Sequence, residues 1–143
     1  MRFWDSSALV PLLIREPSSE SMRSLLHKDR KVIASFITAV EVSSAVWRRL
    51  HNGKLDAAEY AAAEEQFATL SNNWWVEDEL RRIIDLALDL LRRYPLRAGD
   101  AIQLASAIDV VHERRKKLSF LPFVTLDGDL ASAARAEGFP VLP

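Results

Sequence analysis

Four acidic residues stand where a carboxylate can do more than solvate a surface: Asp5, Glu41, Asp100 and Asp127. Asp5 closes the short apolar run that starts at Met1 and opens a helical segment. Glu41 falls in the first turn of the helix that follows Lys31–Ser35. Asp100 begins the segment Asp-Ala-Ile-Gln-Leu-Ala-Ser-Ala-Ile, and Asp127 follows Phe-Val-Thr-Leu, with Asp129 close behind. Brought into one cleft, such carboxylates repel one another and some would keep a proton at neutral pH. A divalent cation removes that penalty. The chain has no cysteine, and His27, His51 and His112 lie in different segments without metal-ligand spacing. An all-oxygen set of this kind suits a hard ion, Mg2+ or Mn2+. Such an ion activates a water, orients a phosphodiester and neutralises charge that develops during in-line displacement, so the chemistry to expect is hydrolysis of a nucleic-acid backbone.

Each acid alone also has a plain structural reading. Asp is a favoured helix N-cap, and acids near a helix N-terminus are stabilised by the dipole. Thr38-Ala39-Val40-Glu41 has the form of a capping box with Thr38 as the cap. Asp127 or Asp129 would serve as an ordinary cap for the last helix. The conjunction favours a site. A cap gains nothing from sharing a sheet edge with three others, and Ser or Thr would cap equally well.

The elements that must position these residues alternate in period. Short apolar runs at Met1–Asp5, Lys31–Ser35, Trp74–Val76, Phe120–Thr125 and Pro140–Leu142 read as strands. Between them the apolar residues step by three and four. Leu80, Ile83, Ile84, Ala87, Leu88 and Leu91 form one such stripe, and Ala101, Leu104, Ala105, Ile108 and Val111 form another, each expected to face a core. Val42, Ala45, Val46 and Leu50 form a shorter stripe that ends at Asn52-Gly53, and Leu9, Leu12 and Leu13 belong to a helix ended by Glu16-Pro17. Strands that alternate with helices imply an α/β fold with a mainly parallel sheet, whose ligands bind beyond the carboxyl ends of the strands. Helices outnumber strands, so several are expected to pair as hairpins.

With 143 residues and no linker or repeat, one domain spanning 1–143 is the simplest organisation. A hydrophobic fraction of 49% and a charged fraction of 27% are those of a soluble globular chain. The N-terminus lacks the pattern of a signal peptide and no apolar run is long enough to cross a bilayer, so a cytoplasmic protein without membrane contact is expected. Nineteen basic against 20 acidic residues give a net charge of −1, so any attraction for nucleic acid must be local. The densest basic run, Arg114-Arg115-Lys116-Lys117, either grips an RNA backbone or solvates a helix end. Arg97, three residues before Asp100, is placed to hold a scissile phosphate or to pair with a carboxylate. Arg15, Arg48 and Arg49 are less informative. Trp74 and Trp75 would point to opposite sides of an extended segment. Core packing is the expected role of both, while an exposed one could stack on a base or anchor a partner.

The ordered set of motifs resembles the VapC toxins, PIN-domain ribonucleases of bacterial toxin–antitoxin pairs. Asp5-Ser6-Ser7-Ala8-Leu9-Val10 with Arg15-Glu16-Pro17 resembles their opening, and Thr38-Ala39-Val40-Glu41-Val42 their second motif. Leu96-Arg97-Ala98-Gly99-Asp100-Ala101-Ile102-Gln103-Leu104-Ala105 resembles the third, and Phe123-Val124-Thr125-Leu126-Asp127-Gly128-Asp129-Leu130 the fourth. The stretch His112–Lys117 is longer and more basic than the family pattern, which leaves Asp127 and Asp129 both open as the fourth acid. The resemblance implies a three-layer α/β/α PIN domain and Mg2+- or Mn2+-dependent endonucleolytic cleavage of RNA. It also implies a homodimer held in check by a small VapB-like antitoxin. Asp5 and Asp100 would be the principal metal ligands, and Glu41 and Asp127 would complete the acidic set. Ser6 and Thr125 would steady a carboxylate or be ordinary strand-end hydrogen-bonders.

Two other functions fit parts of the pattern. Asp127-Gly128-Asp129 after an apolar strand has the local form of an Asp-dependent phosphatase, yet no lysine follows it. A PIN-like domain kept as a silent binding or scaffold module is the other, against which all four acids are present.

Overall fold

Successive residues of a strand point to opposite faces of its sheet, and in this chain both faces are apolar. In the computed structural model, which describes residues 1–143, Phe3, Ile33 and Phe123 enter one core while their neighbours Trp4, Val32 and Val124 enter the other. The strands are short: β1 (Arg2–Trp4), β2 (Val32–Ser35), β3 (Trp75–Glu77), β4 (Phe123–Val124) and β5 (Val141–Leu142). They form one sheet in the order β3-β2-β1-β4-β5, with every neighbouring pair parallel. Helices α1 (Ser6–Leu13), α2 (Ser19–Lys28), α3 (Thr38–His51) and α4 (Ala57–Ser71) cover one face through residues such as Leu9, Met22, Val42, Val46 and Ala63. Helices α5 (Leu80–Arg93), α6 (Ala98–Glu113) and α7 (Gly128–Glu137) cover the other through Ile83, Leu90, Leu104 and Leu130. The result is the three-layer α/β/α arrangement. No helix is long and apolar enough to cross a membrane.

The strand order sets the place of the chemistry. From β1 the chain moves outward to β2 and β3, then returns to lay β4 and β5 on the other side of β1. The reversal leaves a crevice between the carboxyl ends of β1 and β4, the position where open parallel sheets bind ligands. Asp5 follows β1 and Thr125 follows β4, so both open onto it.

Several sequence expectations need correction. Helix α1 ends at Leu13 rather than at Glu16-Pro17. The turn that follows is closed by Ser19, whose hydroxyl accepts from the Glu16 N–H at 2.8 Å and donates to the Ile14 carbonyl at 3.1 Å. Helix α6 begins at Ala98, so Asp100 is its third residue, not its first. Helix α3 also starts at Thr38 itself, and no side chain caps it. Thr38 is buried and bonds instead to Gln103, so the capping box does not form. The α5 stripe divides: Ile83, Ala87 and Leu90 are buried, but Leu80, Ile84, Leu88 and Leu91 remain 40–50% exposed. Its apolar arc is wider than the core can cover. Trp74 leans edge-on against Phe67, whereas Trp75 lies on the outermost strand, 54% exposed beneath the Arg114 guanidinium, so only the first packs inward.

Candidate active site

Asp5 is held in place before any ligand is considered. It caps α1, and its Oδ2 accepts from the Ser7 N–H at 3.0 Å, the Ser7 hydroxyl at 2.5 Å and the Thr125 hydroxyl at 3.0 Å. The last bond ties β1 to β4 across the crevice. Oδ1 receives only the Ser6 hydroxyl, at 3.5 Å, which leaves it the freer oxygen. Asp5 is 3% exposed. Burial pushes its carboxyl above the ordinary range, the three donors pull the other way, and the negative charge of Glu41 adds to the rise. Thr125 does double duty, since its hydroxyl also accepts from the Asp127 N–H at 3.1 Å.

Glu41 is positioned from α6. Its Oε2 accepts from Gln103 Nε2 at 2.6 Å, and the same amide nitrogen donates to the Thr38 hydroxyl at 3.1 Å. Gln103 is completely buried, so this polar triad is the reason Thr38 and Glu41 are not spent on helix capping. Gly99 leaves room for the carboxylate: a β-carbon there would collide with Glu41 Oε1 and lie 3.6 Å from its Cδ.

Asp100 sits one turn before Gln103 on α6, and its Oδ2 accepts weakly from the Arg97 N–H at 3.3 Å. Burial raises its carboxyl, and the charges of Asp127 and Asp5 raise it further, against a smaller downward pull from Arg97. Asp127 caps α7, its Oδ1 accepting from the Leu130 N–H at 2.8 Å. Asp129 lies in the first turn of the same helix and is exposed. Asp127 is the acid of this segment whose charge adds to the rise of Asp100.

Two of the acids, Glu41 and Asp100, line a cleft of about 630 Å3 together with Ser6 and Ser7, bordered by Arg48, Arg49 and Arg97. Asp5, which is buried, and Asp127 are not part of its wall and adjoin Asp100 through their charges. Arg49 pairs with Glu16, while Arg48 and Arg97 have no carboxylate partner. The local positive charge that the net value lacks is thus supplied by α3 and by the start of α6. The run Arg114–Lys117 follows the far end of α6, ~21 Å along the helix axis from Asp100 at 1.5 Å per residue. His27, His51 and His112 stand outside the cleft.

The four acids lie at one edge of the sheet, near enough for their charges to act on one another. No group of three or more His, Cys, Asp or Glu side chains is assembled as a finished cation cage. Two of the acids have other partners: Glu41 is bonded to Gln103 and Asp127 to the start of its own helix. The donor set still fits Mg2+ or Mn2+, which take one or two carboxylates and fill the rest of the shell with water and phosphate oxygens.

Sequence reasoning missed Ser7, Gln103 and Gly99. Gln103 carried a signal, a polar residue inside the apolar stripe of α6. Ser7 carried a weaker one, its position two residues after a helix-capping Asp.

Comparison with known proteins agrees with this architecture. Residues 2–136 match the PIN domain family. Ribonuclease VapC46 of Mycobacterium tuberculosis (strain ATCC 25618 / H37Rv) is 31% identical over 140 residues, which cover 98% of this chain and 95% of that protein. Among solved structures, Mycobacterium tuberculosis VapC20, a sarcin-ricin loop cleaving toxin, superposes with a TM-score of 0.69 at 21% identity over the whole of both chains. A toxin–antitoxin complex from Klebsiella pneumoniae superposes at 0.65 and 20% identity, covering 100% of this chain and 97% of that one. The chain belongs to the PIN domain family, among its VapC ribonucleases.

Proposed function

We propose that this protein is an endoribonuclease that hydrolyses RNA phosphodiester bonds with Mg2+ or Mn2+, as the toxin of a type II toxin–antitoxin pair in the cytoplasm. The observation that carries the reading is the grouping of Asp5, Glu41, Asp100 and Asp127 at one sheet edge, close enough for their charges to act from one to the next, with Glu41 and Asp100 in the wall of a cleft whose rim holds Arg48 and Arg97 without acid partners. The cation, when bound, would supply an activated water and neutralise charge on the phosphate. Asp5 Oδ1 and the carboxylates of Asp100 and Glu41 are the oxygens available to hold it, with Asp127 beside them. Ser7 and Thr125 fix the orientation of Asp5, and Gln103 that of Glu41. Arg97 and Arg48 would draw the backbone phosphate in. A homodimer and a small VapB-like antitoxin are the partners expected from the family, the antitoxin closing the cleft.

The test is cleavage of RNA by the purified protein in Mg2+ or Mn2+, against EDTA and against Asp5→Asn and Asp100→Asn. Cleavage that needs the cation and disappears in both variants supports the proposal. Cleavage that persists in EDTA, or in both variants, removes the mechanism. A folded protein that binds RNA and cuts none under any condition would be the silent module instead.

A further inference from the structure

The acidic cleft continues along α3. Val40 and Ser44 line it and also line a second, shallower groove of about 480 Å3, whose other walls are Ala39, Ser43, Trp47 and Tyr60. Positions 40, 43, 44 and 47 fall on one face of α3, while Val42 and Val46 face the core. Beside Ser43 and Ser44, that outer face leaves two large apolar side chains in the open: Val40 is 71% and Trp47 50% exposed. Trp47 is also braced. The His51 ring stacks on it one turn later, with centroids 5.1 Å apart and 20° between planes. Arg48, the next residue along, turns into the acidic cleft and reaches Ser44 Oγ at 3.4 Å, on the wall that the two depressions share.

From this juxtaposition we infer that the α3–α4 groove is a subsite for a nucleobase adjoining the phosphate at the acids. Trp47 is the stacking surface, Val40 and Tyr60 its apolar borders, and Arg48 the contact to the intervening backbone. An aromatic face beside an unpaired cation fits a chain that is both polyanionic and aromatic, and the shared wall carries one ligand through both depressions. A base can offer its face to Trp47 only when it is unstacked, so the substrate enters single-stranded, with its bases splayed. This inference rests on the proposed ribonuclease activity and deepens it.

The experiment reads binding with the cation chelated, so that it does not depend on cleavage. Fluorescently labelled eight-nucleotide oligoadenylate and oligouridylate, and an RNA duplex of the same length, are titrated with wild-type protein, Trp47→Ala and Trp47→Phe at low ionic strength. Trp47→Ala is expected to weaken single-strand binding by roughly five- to a hundred-fold, the range for loss of one base–aromatic stack. Trp47→Phe should retain most of the affinity, because it keeps an aromatic face. The duplex should bind more weakly than either single strand. Trp47 is half exposed, so both variants are expected to melt as wild type does, and the Phe variant keeps the comparison valid if the Ala variant does not fold. Equal affinity in wild type and Trp47→Ala overturns the subsite, as does a duplex bound as tightly as the single strands or wild type that binds neither. Unchanged RNA binding would leave the groove to a protein partner. RNA cleavage that survives Trp47→Ala undiminished refutes the subsite alone, whereas a protein that binds RNA and never cuts it refutes the ribonuclease.

Discussion

The Glu41 carboxylate fills the space that a β-carbon at Gly99 would need. The two residues lie on different helices, and the absence of a side chain on α6 is what lets α3 deliver its acid to the cleft. Gly99 sits in the first turn of α6 with no unusual backbone angle, so glycine is there for room, not for conformation.

Gly99→Ala is therefore expected to separate activity from stability. Alanine favours the helix by about 0.5–1 kcal/mol over glycine, which offsets part of the cost of pushing Glu41 aside. The melting temperature should stay within a few degrees of wild type. RNA cleavage should fall by roughly a hundred-fold, the scale for misplacing an active-site group by ~1 Å. Cleavage at the wild-type rate would show that Glu41 does not need its observed position.

The positions of the acids could be read from the chain because each sits at a strand–helix junction, where period two gives way to period 3.6. Their partners could not. Thr38 and Glu41 satisfy a local capping pattern, yet Gln103, 62 residues beyond Glu41, outcompetes the backbone for both. Periodicity also marks an apolar arc without saying what covers it, so the six-residue stripe of α5 read as core although four of its members face outward. Strand β4 was legible in composition but not in extent. Leu118–Phe120 winds into a 3-10 turn, and only Phe123–Val124 pairs.

Those four outward residues, Leu80, Ile84, Leu88 and Leu91, bear on the proposed homodimer. They form a continuous aliphatic row along α5, a surface that water covers poorly and a second copy would cover well. Leu88→Glu should shift the protein toward monomer in light scattering behind a sizing column. The variant should melt within a few degrees of a wild-type monomer, since half of the side chain is already in water and it is not part of the buried core. Wild-type protein that is monomeric at tens of micromolar, or a Leu88→Glu variant that remains dimeric, would exclude this face.

Nine residues beyond Asp100 on α6, Asp109 is a buried carboxylate with one effective partner, Arg82 of α5, whose Nε and Nη2 donate to it at 2.8 and 3.1 Å. Arg82 also pairs with Glu113. Removing a partner from a buried charge costs more than the pair itself contributes. Arg82→Met is expected to lower the melting temperature clearly, and adding Asp109→Asn should recover part of the loss. RNA cleavage at permissive temperature should be unaffected, because neither residue borders the acidic cleft. Independent, additive effects of the two substitutions in a double-mutant cycle would mean that they do not act as a pair.

The acids themselves predict how stability responds to pH. Asp5 and Asp100 are both raised above the ordinary carboxyl value, chiefly by burial. For an acid raised in the folded state, the native protein binds the proton more tightly than the unfolded chain does. Its contribution to stability is thus fully present below the ordinary value, near 3.8, and is lost as pH rises through the folded-state value. At neutral pH without a cation, each ionised carboxylate is then a source of strain, and Asp5→Asn, which keeps the oxygen that accepts from Ser7 and Thr125, should melt higher than wild type in EDTA. That advantage should shrink as pH is lowered toward 4, where wild type becomes protonated. Adding Mn2+ at about a hundred times its dissociation constant should stabilise wild type by about 2.7 kcal/mol, a rise of roughly 5–10 °C for a domain of this size. Asp5→Asn should gain much less. If Asp5→Asn melts below wild type at pH 7 in EDTA, the three hydrogen bonds to Asp5 outweigh its burial, and the carboxylate is a structural anchor first.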